Sequence, residues 1–111
     1  ILAREQERGM EKDSKVIFLG RLGTRPELRY TRKQEPVCSL SVAVDQKESD
    51  RPDWKRVIVW GKQAELCSLY LKKGKEVFVQ GRMQSREFEG RDGNKRTVME
   101  CNARLIGFPN I

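Results

Sequence analysis

The sequence predicts an all-β domain in which five strands form a small barrel and one helix lies between the third and fourth strands. Three observations support this prediction. The chain has 111 residues, which is the size of one ordinary domain. Its apolar residues, 37% of the total, lie mostly in short runs with strand-like alternation, whereas one central stretch has helical spacing. The core of such a domain is small, so assembly into an oligomer would bury more surface.

The first half of the chain supplies three long strands and a short one. The segment Lys15–Leu22 (KVIFLGRL) is rich in β-forming residues, and Gly20 within it indicates a bulge or a sharp bend. After a turn, Glu27–Tyr30 is predicted to be a short strand. Small polar and apolar residues alternate in Pro36–Val44 (PVCSLSVAV), and a polar loop separates this strand from Trp54–Trp60 (WKRVIVW).

The second half supplies the helix and a hairpin. Apolar residues recur every three or four positions in Lys62–Leu71, which predicts a helix. We expect the next two lysines and Gly74 to cap it, because cations favour the negative end of a helix and glycine adopts the left-handed capping conformation. The predicted strands Glu76–Gln84 and Lys95–Phe108 flank a hairpin signal, Asp92-Gly93. Among the longer strands the helix follows the third, which is the order of a Greek-key barrel of the OB type.

The chain divides into a short extension and one domain. Residues 1–14 are charged and nearly without pattern, so we expect a flexible N-terminal extension. The OB-fold domain is predicted to occupy residues 15–111. The extension lacks the apolar stretch of a secretory signal, and nothing in the sequence approaches the ~18 apolar residues of a transmembrane helix.

The composition indicates a polyanionic partner and excludes several kinds of site. Lys and Arg number 23 against 16 Asp and Glu, a formal net charge of +7, which favours nucleic acid or an anionic membrane surface. The absence of histidine removes the usual general base and the commonest zinc ligand. Cys38, Cys67 and Cys101 are far apart and are predicted to be small buried side chains in a reducing compartment. We therefore expect no metal, no cofactor and no enzymatic activity.

The strand Trp54–Trp60 carries the clearest functional signal. Alternate residues of a strand share a face, which groups Trp54, Arg56, Ile58 and Trp60. Indole rings stack on bases of any sequence, each contributing about 1–3 kcal/mol, and arginine adds charge and cation–π contact. Burial of both tryptophans in the core is the alternative. The two valines on the opposite side of the strand already supply a core face, which favours stacking.

A second aromatic residue and two basic clusters extend this signal. Phe88 lies near Arg86 and Arg91 where a strand enters the hairpin, which suits a stacking platform, although packing within the hairpin explains it equally well. The basic clusters are Arg29, Arg32 and Lys33 around the turn after Tyr30, and Lys72, Lys73 and Lys75 after the helix. A basic groove interleaved with aromatic rings holds single strands without reading their sequence.

Four blocks of the sequence resemble the family of bacterial-type single-stranded DNA-binding proteins (SSB). They are Lys15–Thr31, Trp54–Glu65, Tyr70–Met83 and the closing strand, in the order and at the spacing of that family. Together they cover most of the chain from Lys15 to Phe108. The resemblance implies an OB-fold that assembles as a homotetramer and is not an enzyme. It also implies sequence-independent binding and protection of single-stranded DNA in replication, recombination and repair.

The resemblance further implies which residues contact the DNA. The stacking positions of the family are held here by Trp54, Trp60 and Phe88. Its basic contacts correspond to Arg56, Lys62, Lys73 and Arg86, and more loosely to Arg21. Arg32 and Lys33 join this set, because the turn that holds them is more basic than the Asn-Gly type usual in the family.

The resemblance also implies a location and partners. The expected location is the bacterial cytoplasm in association with the nucleoid, or an organelle for an organellar form. Replication and repair proteins are expected as partners where the full-length chain carries the acidic C-terminal tip of the family beyond Ile111. No membrane partner is expected.

A departure from the family pattern keeps a second hypothesis open. The polar loop over residues 45–52 is short and has Glu48 near the position of a family tryptophan. A second departure, Lys55 in place of a common histidine, bears on the contacts between subunits. The alternative is a dimeric OB-fold interaction module, like the primosomal replication protein, that binds single-stranded DNA and protein partners. An OB-containing nuclease is disfavoured, because the sequence offers no histidine and no cluster of metal ligands.

Overall fold

The computed structural model describes residues 14–109, which form six strands and one helix. The strands are β1 (Lys15–Leu22), β2 (Glu27–Tyr30), β3 (Pro36–Val44), β4 (Asp53–Trp60), β5 (Glu76–Glu89) and β6 (Lys95–Gly107), and the helix is α1 (Lys62–Tyr70). The strands form one sheet in the order β1-β5-β6-β4-β3-β2, and β1 also pairs with β3. This additional pairing closes the sheet into a barrel.

The architecture agrees with the predicted all-β barrel of the OB type. The predicted barrel had five strands, with Glu27–Tyr30 as a further short strand. The structure confirms that short strand and adds it to the same sheet, where it pairs with β3, so the sheet has six strands. The helix therefore follows the fourth strand when every strand is counted and the third when only the long strands are. All strand pairs are antiparallel apart from a short parallel contact between β4 and β6.

The core consists of the inward-facing residues of β3, β4 and β5 and the buried side of α1. Val57 and Val59 are fully buried, as the two-residue period predicts. All three cysteines are buried and free. Burial raises the pKa of the Cys38 thiol to about 11 and that of the Cys67 thiol to about 12. At neutral pH these thiols are therefore protonated and pack as small apolar side chains, as predicted.

Gly20 lies where the barrel closes, and of the predicted bulge or sharp bend the structure does not show the bulge. It pairs with Val77 in the continuous ladder between β1 and β5. A Cβ atom at this position would lie 2.5 Å from the carbonyl oxygen of Ala43 and 2.6 Å from a methyl carbon of Val42. The missing side chain lets β1 approach β3 closely enough to pair with it immediately after Gly20. The register shift of the sheet lies between β5 and β6 instead: Gln80 pairs with Leu105 and Gly81 with Ala103, so the extra residue is Arg104 of β6.

The prediction that two lysines and Gly74 cap the helix is wrong. The helix ends at Tyr70, and the next residue, Leu71, is extended and buried. Its N–H donates to the carbonyl oxygen of Cys67 (2.9 Å). Because Leu71 enters the core in an extended conformation, Gly74 belongs to a separate turn, where it has a φ of 87°.

The outer ends of β5 and β6 form a two-stranded arm. β5 continues to Glu89, beyond its predicted end at Gln84. The partner strand β1 reaches only as far as Arg82 of β5, and β4 pairs with β6 only near Cys101. We refer to residues 84–100 as the arm, because within the part of the chain that the structure describes its two strands pair only with each other.

The tip of the arm is the predicted hairpin turn. Gly93 has a φ of 82°, as the Asp-Gly signal requires. The Asp92 carboxylate accepts hydrogen bonds from the N–H of Asn94 (3.0 Å) and from Arg96 (2.9 Å). These two bonds hold the pKa of Asp92 below its usual value.

The predicted N-terminal extension over residues 1–14 lies outside the described residues, apart from Ser14. The Ser14 hydroxyl donates to the carbonyl oxygen of Met83 (2.9 Å), and the Ser14 carbonyl accepts the N–H of Met83 (3.0 Å). Residues 110–111 of the predicted domain also lie outside the description. Between residues 14 and 109, no helix is long and apolar enough to cross a membrane.

Candidate nucleic-acid interface

Two tryptophans and an arginine lie on the outer face of β4. Trp54 is 56% exposed and Trp60 is 42% exposed, while Val57 and Val59 on the opposite face are fully buried. The predicted alternation of this strand is confirmed, and the tryptophans are not core residues. Arg56 lies between the two rings on the same outer face.

Trp54 is positioned by the neighbouring strand and by a glycine. It pairs with Ala43 of β3, which in turn pairs with Arg21 of β1, so the three side chains share one face. A Cβ atom on Gly23 would lie 2.5 Å from the indole carbon Cη2. The ring therefore packs directly against the backbone of Gly23, and its remaining surface is open to solvent.

Trp60 forms part of a groove that crosses β2, β3 and β4. It pairs with Val37 of β3, whose partner on β2 is Arg29. The groove contains a cavity of about 290 Å³, and both Trp60 and Arg56 line it. A smaller cavity beside Trp54 is also lined by Arg56. The groove therefore runs from one tryptophan to the other, past the arginine between them.

A buried carboxylate joins the two arginines of the groove. The Glu100 side chain is 3% exposed, whereas those of Arg56 and Arg86 are 48% and 50% exposed. Arg56 donates from Nε to Oε2 (2.8 Å). Arg86 donates from Nε to Oε1 (3.0 Å) and from Nη2 to Oε2 (3.1 Å). The three charges leave one net positive charge at this point of the groove.

The two guanidinium groups keep Glu100 ionised in spite of its burial. The hydrogen bonds from Arg86 lower the pKa of Glu100 most, and the bond from Arg56 adds to them, while burial alone would raise it. The same contact raises the pKa of Arg86. Glu100 and Arg86 are therefore charged at neutral pH.

Phe88 lies on the arm beside Arg86. Its ring is 37% exposed, and the guanidinium carbon Cζ of Arg86 lies 5.7 Å from the ring centroid. This is a cation–π distance. The residue that pairs with Phe88 on β6 is Arg96. The ring is thus accessible, with the predicted Arg86 against it and Arg96, in place of the predicted Arg91, as its cross-strand neighbour.

Arg21 and Lys73 lie close together near Trp54. Arg21 donates from Nη1 to the carbonyl oxygen of Gly74 (3.3 Å), so it lies beside the turn that holds Lys73. The N–H of Gly74 donates to the carbonyl oxygen of Leu22 (2.8 Å). Two predicted basic residues, distant in sequence, therefore extend the groove at its Trp54 end.

Lys62, Arg32 and Lys33 lie near the other tryptophan but do not line the groove. Lys62 follows Gly61, whose N–H donates to the carbonyl oxygen of Pro36 (2.9 Å). Arg32 and Lys33 are exposed on the turn between β2 and β3. The N–H of Thr31 closes that turn by donating to the carbonyl oxygen of Glu35 (3.0 Å). These cations surround the Trp60 end of the groove.

Three residues of the site were not among the predicted site residues. Arg29 lines the groove beside Trp60, but the sequence named it only as one member of a basic cluster. Gly23 supports the ring of Trp54, a contact without a sequence signal. Glu100 had a weak signal, because a single acidic residue lies between apolar residues in the stretch TVMEC of β6.

The site suits a ligand that carries both flat rings and negative charges. Exposed aromatic side chains offer stacking surfaces, and the guanidinium groups between them offer donors for phosphate oxygens. Between residues 14 and 109 no group of three Cys, Asp or Glu side chains could hold a metal ion.

Comparisons with known proteins agree with this chemistry. The family model described as the single-strand binding protein family matches residues 13–109. The chain is 42% identical to a single-stranded DNA-binding protein of Neisseria meningitidis serogroup A over 107 residues, which cover 87% of this chain and 62% of the relative. It is 37% identical to single-stranded DNA-binding protein 1 of Chlorobaculum tepidum over 95 residues, which cover 78% of this chain and 59% of the relative. The chain thus spans about three fifths of the length of these relatives.

Proposed function

Because this chain belongs to the single-strand binding protein family, we propose that it binds and protects single-stranded DNA without sequence preference. The observation that carries the proposal is the outer face of β4, where two exposed indole rings flank an arginine. The proposed role is binding rather than catalysis. It serves replication, recombination and repair, at the nucleoid of a bacterial cell.

The proposed path of the DNA runs along the groove and onto the arm. Trp54 and Trp60 are six positions apart on one strand, which is about 20 Å. A single base therefore cannot contact both rings, and several nucleotides bridge them. From Trp60 the bound DNA continues past Arg86 to Phe88, whose ring is the third stacking surface.

The cations outside the groove guide the two ends of this path. Arg21 and Lys73 lie at the Trp54 end, and Arg32, Lys33 and Lys62 at the Trp60 end. Contacts of lysine and arginine with phosphates release counterions, so the affinity of such a site falls as the salt concentration rises. Stacking supplies the part of the affinity that distinguishes single strands from duplex, because paired bases cannot reach the rings.

The first prediction concerns the two tryptophans. Trp54→Ala and Trp60→Ala are each expected to weaken binding of oligo-dT by about 1–3 kcal/mol, the contribution of one stacked base. Binding is measured by fluorescence anisotropy of labelled oligo-dT, and quenching of tryptophan fluorescence by oligo-dT is followed in the wild-type chain.

The matched control for this prediction is Leu69→Ala. Leu69 is an exposed apolar residue on α1, outside the groove, so its removal is expected to leave the affinity unchanged. If oligo-dT does not quench the tryptophan fluorescence of the wild-type chain, or if salt does not weaken the binding, the proposed function is wrong.

We further propose that the chain acts as a homotetramer. β1 has a free edge from Lys15 to Gly20 within the described part of the chain, because it pairs with β3 only after Gly20. Beside this edge, Ile17 is 65%, Leu19 48% and Leu105 49% exposed. Ile17 and Leu105 flank the same residue of β5, so they share one face. We refer to Ile17, Leu19 and Leu105 as the apolar patch. Exposed apolar surface of this kind supports the proposed assembly, in which copies of the chain would bury it.

A further inference from the structure

Glu100 connects three strands of the proposed DNA-binding surface. It lies on β6, and it accepts hydrogen bonds from Arg56 of β4 and from Arg86 of β5. Arg56 belongs to the barrel, whereas Arg86 belongs to the arm. The carboxylate is therefore a direct link between the barrel and the arm, at the position where they meet.

The arm has few other means of keeping its orientation. Its two strands pair only with each other over most of their length, and most of its residues are exposed. A two-stranded hairpin without further packing is marginally stable in water. The hydrogen bonds of Glu100 therefore help to fix the positions of Phe88 and Arg86 relative to the tryptophans of β4.

The hydrogen bonds to Glu100 leave other N–H groups of the two arginines available as donors. Arg56 uses only its Nε for Glu100, and Arg86 uses Nε and Nη2. The other guanidinium nitrogens lie on side chains that are half exposed and that line the groove. Two guanidinium groups and one carboxylate leave one positive charge, which one phosphate group would neutralise.

We infer that Glu100 is a positioning residue of the DNA-binding groove, which holds Arg56 and Arg86 so that their remaining donors bind one phosphate of the strand. The carboxylate stays hydrogen-bonded to both arginines when DNA is bound, as it is in the free protein. This inference rests on the proposed function, since the phosphate belongs to the bound single-stranded DNA.

Positioning and simple electrostatics predict opposite effects for the loss of this charge. Glu100 is a negative charge in a groove for a polyanion, so its removal by Glu100→Gln would strengthen binding if only net charge mattered. If the carboxylate positions the arginines, the same substitution weakens binding. An amide has no negative charge and only one acceptor oxygen, so it cannot accept all three of the hydrogen bonds that Arg56 and Arg86 donate to the two oxygens of Glu100. The sign of the effect therefore distinguishes the two explanations.

The experiment compares oligo-dT binding by the wild-type chain, Glu100→Gln and the control Glu87→Gln across a series of salt concentrations. Glu87 is an exposed carboxylate on the same arm, so its variant changes the net charge equally. We expect Glu100→Gln to bind about fivefold more weakly or worse, which corresponds to one hydrogen bond of ordinary net strength. We also expect its slope of log K against log salt to be shallower by about 0.7, the value for one lost phosphate contact of a single strand. Glu87→Gln is expected to bind as tightly as wild type or more tightly.

Each outcome has a defined meaning. Weaker binding with a shallower slope supports the positioning role. Equal or tighter binding by Glu100→Gln, or weaker binding with an unchanged slope, overturns it while the proposed function stands. A wild-type chain that does not bind oligo-dT overturns the proposed function, and this inference with it.

A second measurement uses only the wild-type chain, in case Glu100→Gln does not fold. NMR of arginine Nε–H groups is recorded with and without oligo-dT. We expect the signals of Arg56 and Arg86 to be protected from exchange in both states, because Glu100 keeps accepting these protons. Loss of that protection on addition of oligo-dT means that the DNA displaces the carboxylate, and the inference is then wrong.

Discussion

At the residue scale, the candidate site inverts the usual distribution of side chains. Large apolar side chains are normally buried and carboxylates exposed, yet Trp54 and Trp60 are exposed here and Glu100 is almost fully buried. Exposed indoles lack the stabilisation that burial of their surface would provide, and a buried carboxylate needs hydrogen bonds that compensate for lost hydration. Both exceptions lie along one groove, where the proposed stacking and phosphate binding would give them a role.

One prediction at this scale concerns stability and pH. Glu100→Gln is expected to lower the free energy of unfolding at pH 7 by about 1–3 kcal/mol, the size of a charged hydrogen bond. The pKa of Glu100 is lower in the folded chain than its ordinary value of 4.5. Its stabilisation is therefore complete above that value and is lost as the pH falls through the folded-state pKa.

The measurement for this prediction is urea unfolding of wild type and variant at fixed protein concentration from pH 7 to pH 3. The difference between the two free energies of unfolding is expected to shrink towards acid. A difference that stays constant over this range would contradict the assignment of Glu100 as an ionised, arginine-bound group.

At the scale of the elements, the two-residue period of the strands determines the site. In β4 it assigns the valines to the core and the tryptophans to the groove, and in β5 it assigns Val77 and Val79 to the core. Gly20 allows β1 to meet β3 while it is still paired with β5, which closes the barrel. The groove is thus part of the surface of a closed sheet. The curvature of that sheet depends on the close approach of the β1 and β3 backbones at Gly20.

The prediction at this scale is that Gly20→Ala destabilises the barrel. Its Cβ atom would meet the backbone of Ala43 at 2.5 Å, so we expect a loss of about 1–3 kcal/mol, as for an overpacked core. Gly107→Ala is the control, because its Cβ atom would meet Phe78 at 3.3 Å. Thermal unfolding followed by circular dichroism compares the two, and an equal or smaller effect of Gly20→Ala would contradict this account of closure.

At the scale of the whole molecule, the barrel has two surfaces with different chemistry. The groove with its cations lies on β2, β3 and β4 and on the arm, and the apolar patch lies on β1 and β6. A formal net charge of +7 favours DNA and opposes close approach of copies. The proposed assembly would therefore depend on apolar contact at the patch, which leaves the groove of each copy accessible.

The prediction at this scale is that Ile17→Lys combined with Leu19→Lys lowers the mass of the oligomer in solution. The added charges would face each other between copies of the chain, whereas Leu69→Lys, on the helix, is expected to leave the mass unchanged. Light scattering with and without oligo-dT measures the assembly. A wild-type tetramer supports the proposed assembly, a stable wild-type dimer favours the interaction-module alternative, and a double variant with wild-type mass rules out this face.

The sequence by itself determined which residues of a strand share a face, because side-chain alternation within one strand depends only on backbone geometry. It predicted the order of the strands and the helix, and it favoured exposure of the tryptophans over their burial. It also predicted the grouping of Trp54, Arg56 and Trp60, since these residues share a single strand. Only the tertiary structure decided that Arg56 and Arg86 meet at Glu100, that Gly23 supports Trp54 and that Gly20 closes the barrel. Those contacts join residues far apart in the chain, and they depend on the register between strands, which no local pattern in one strand specifies.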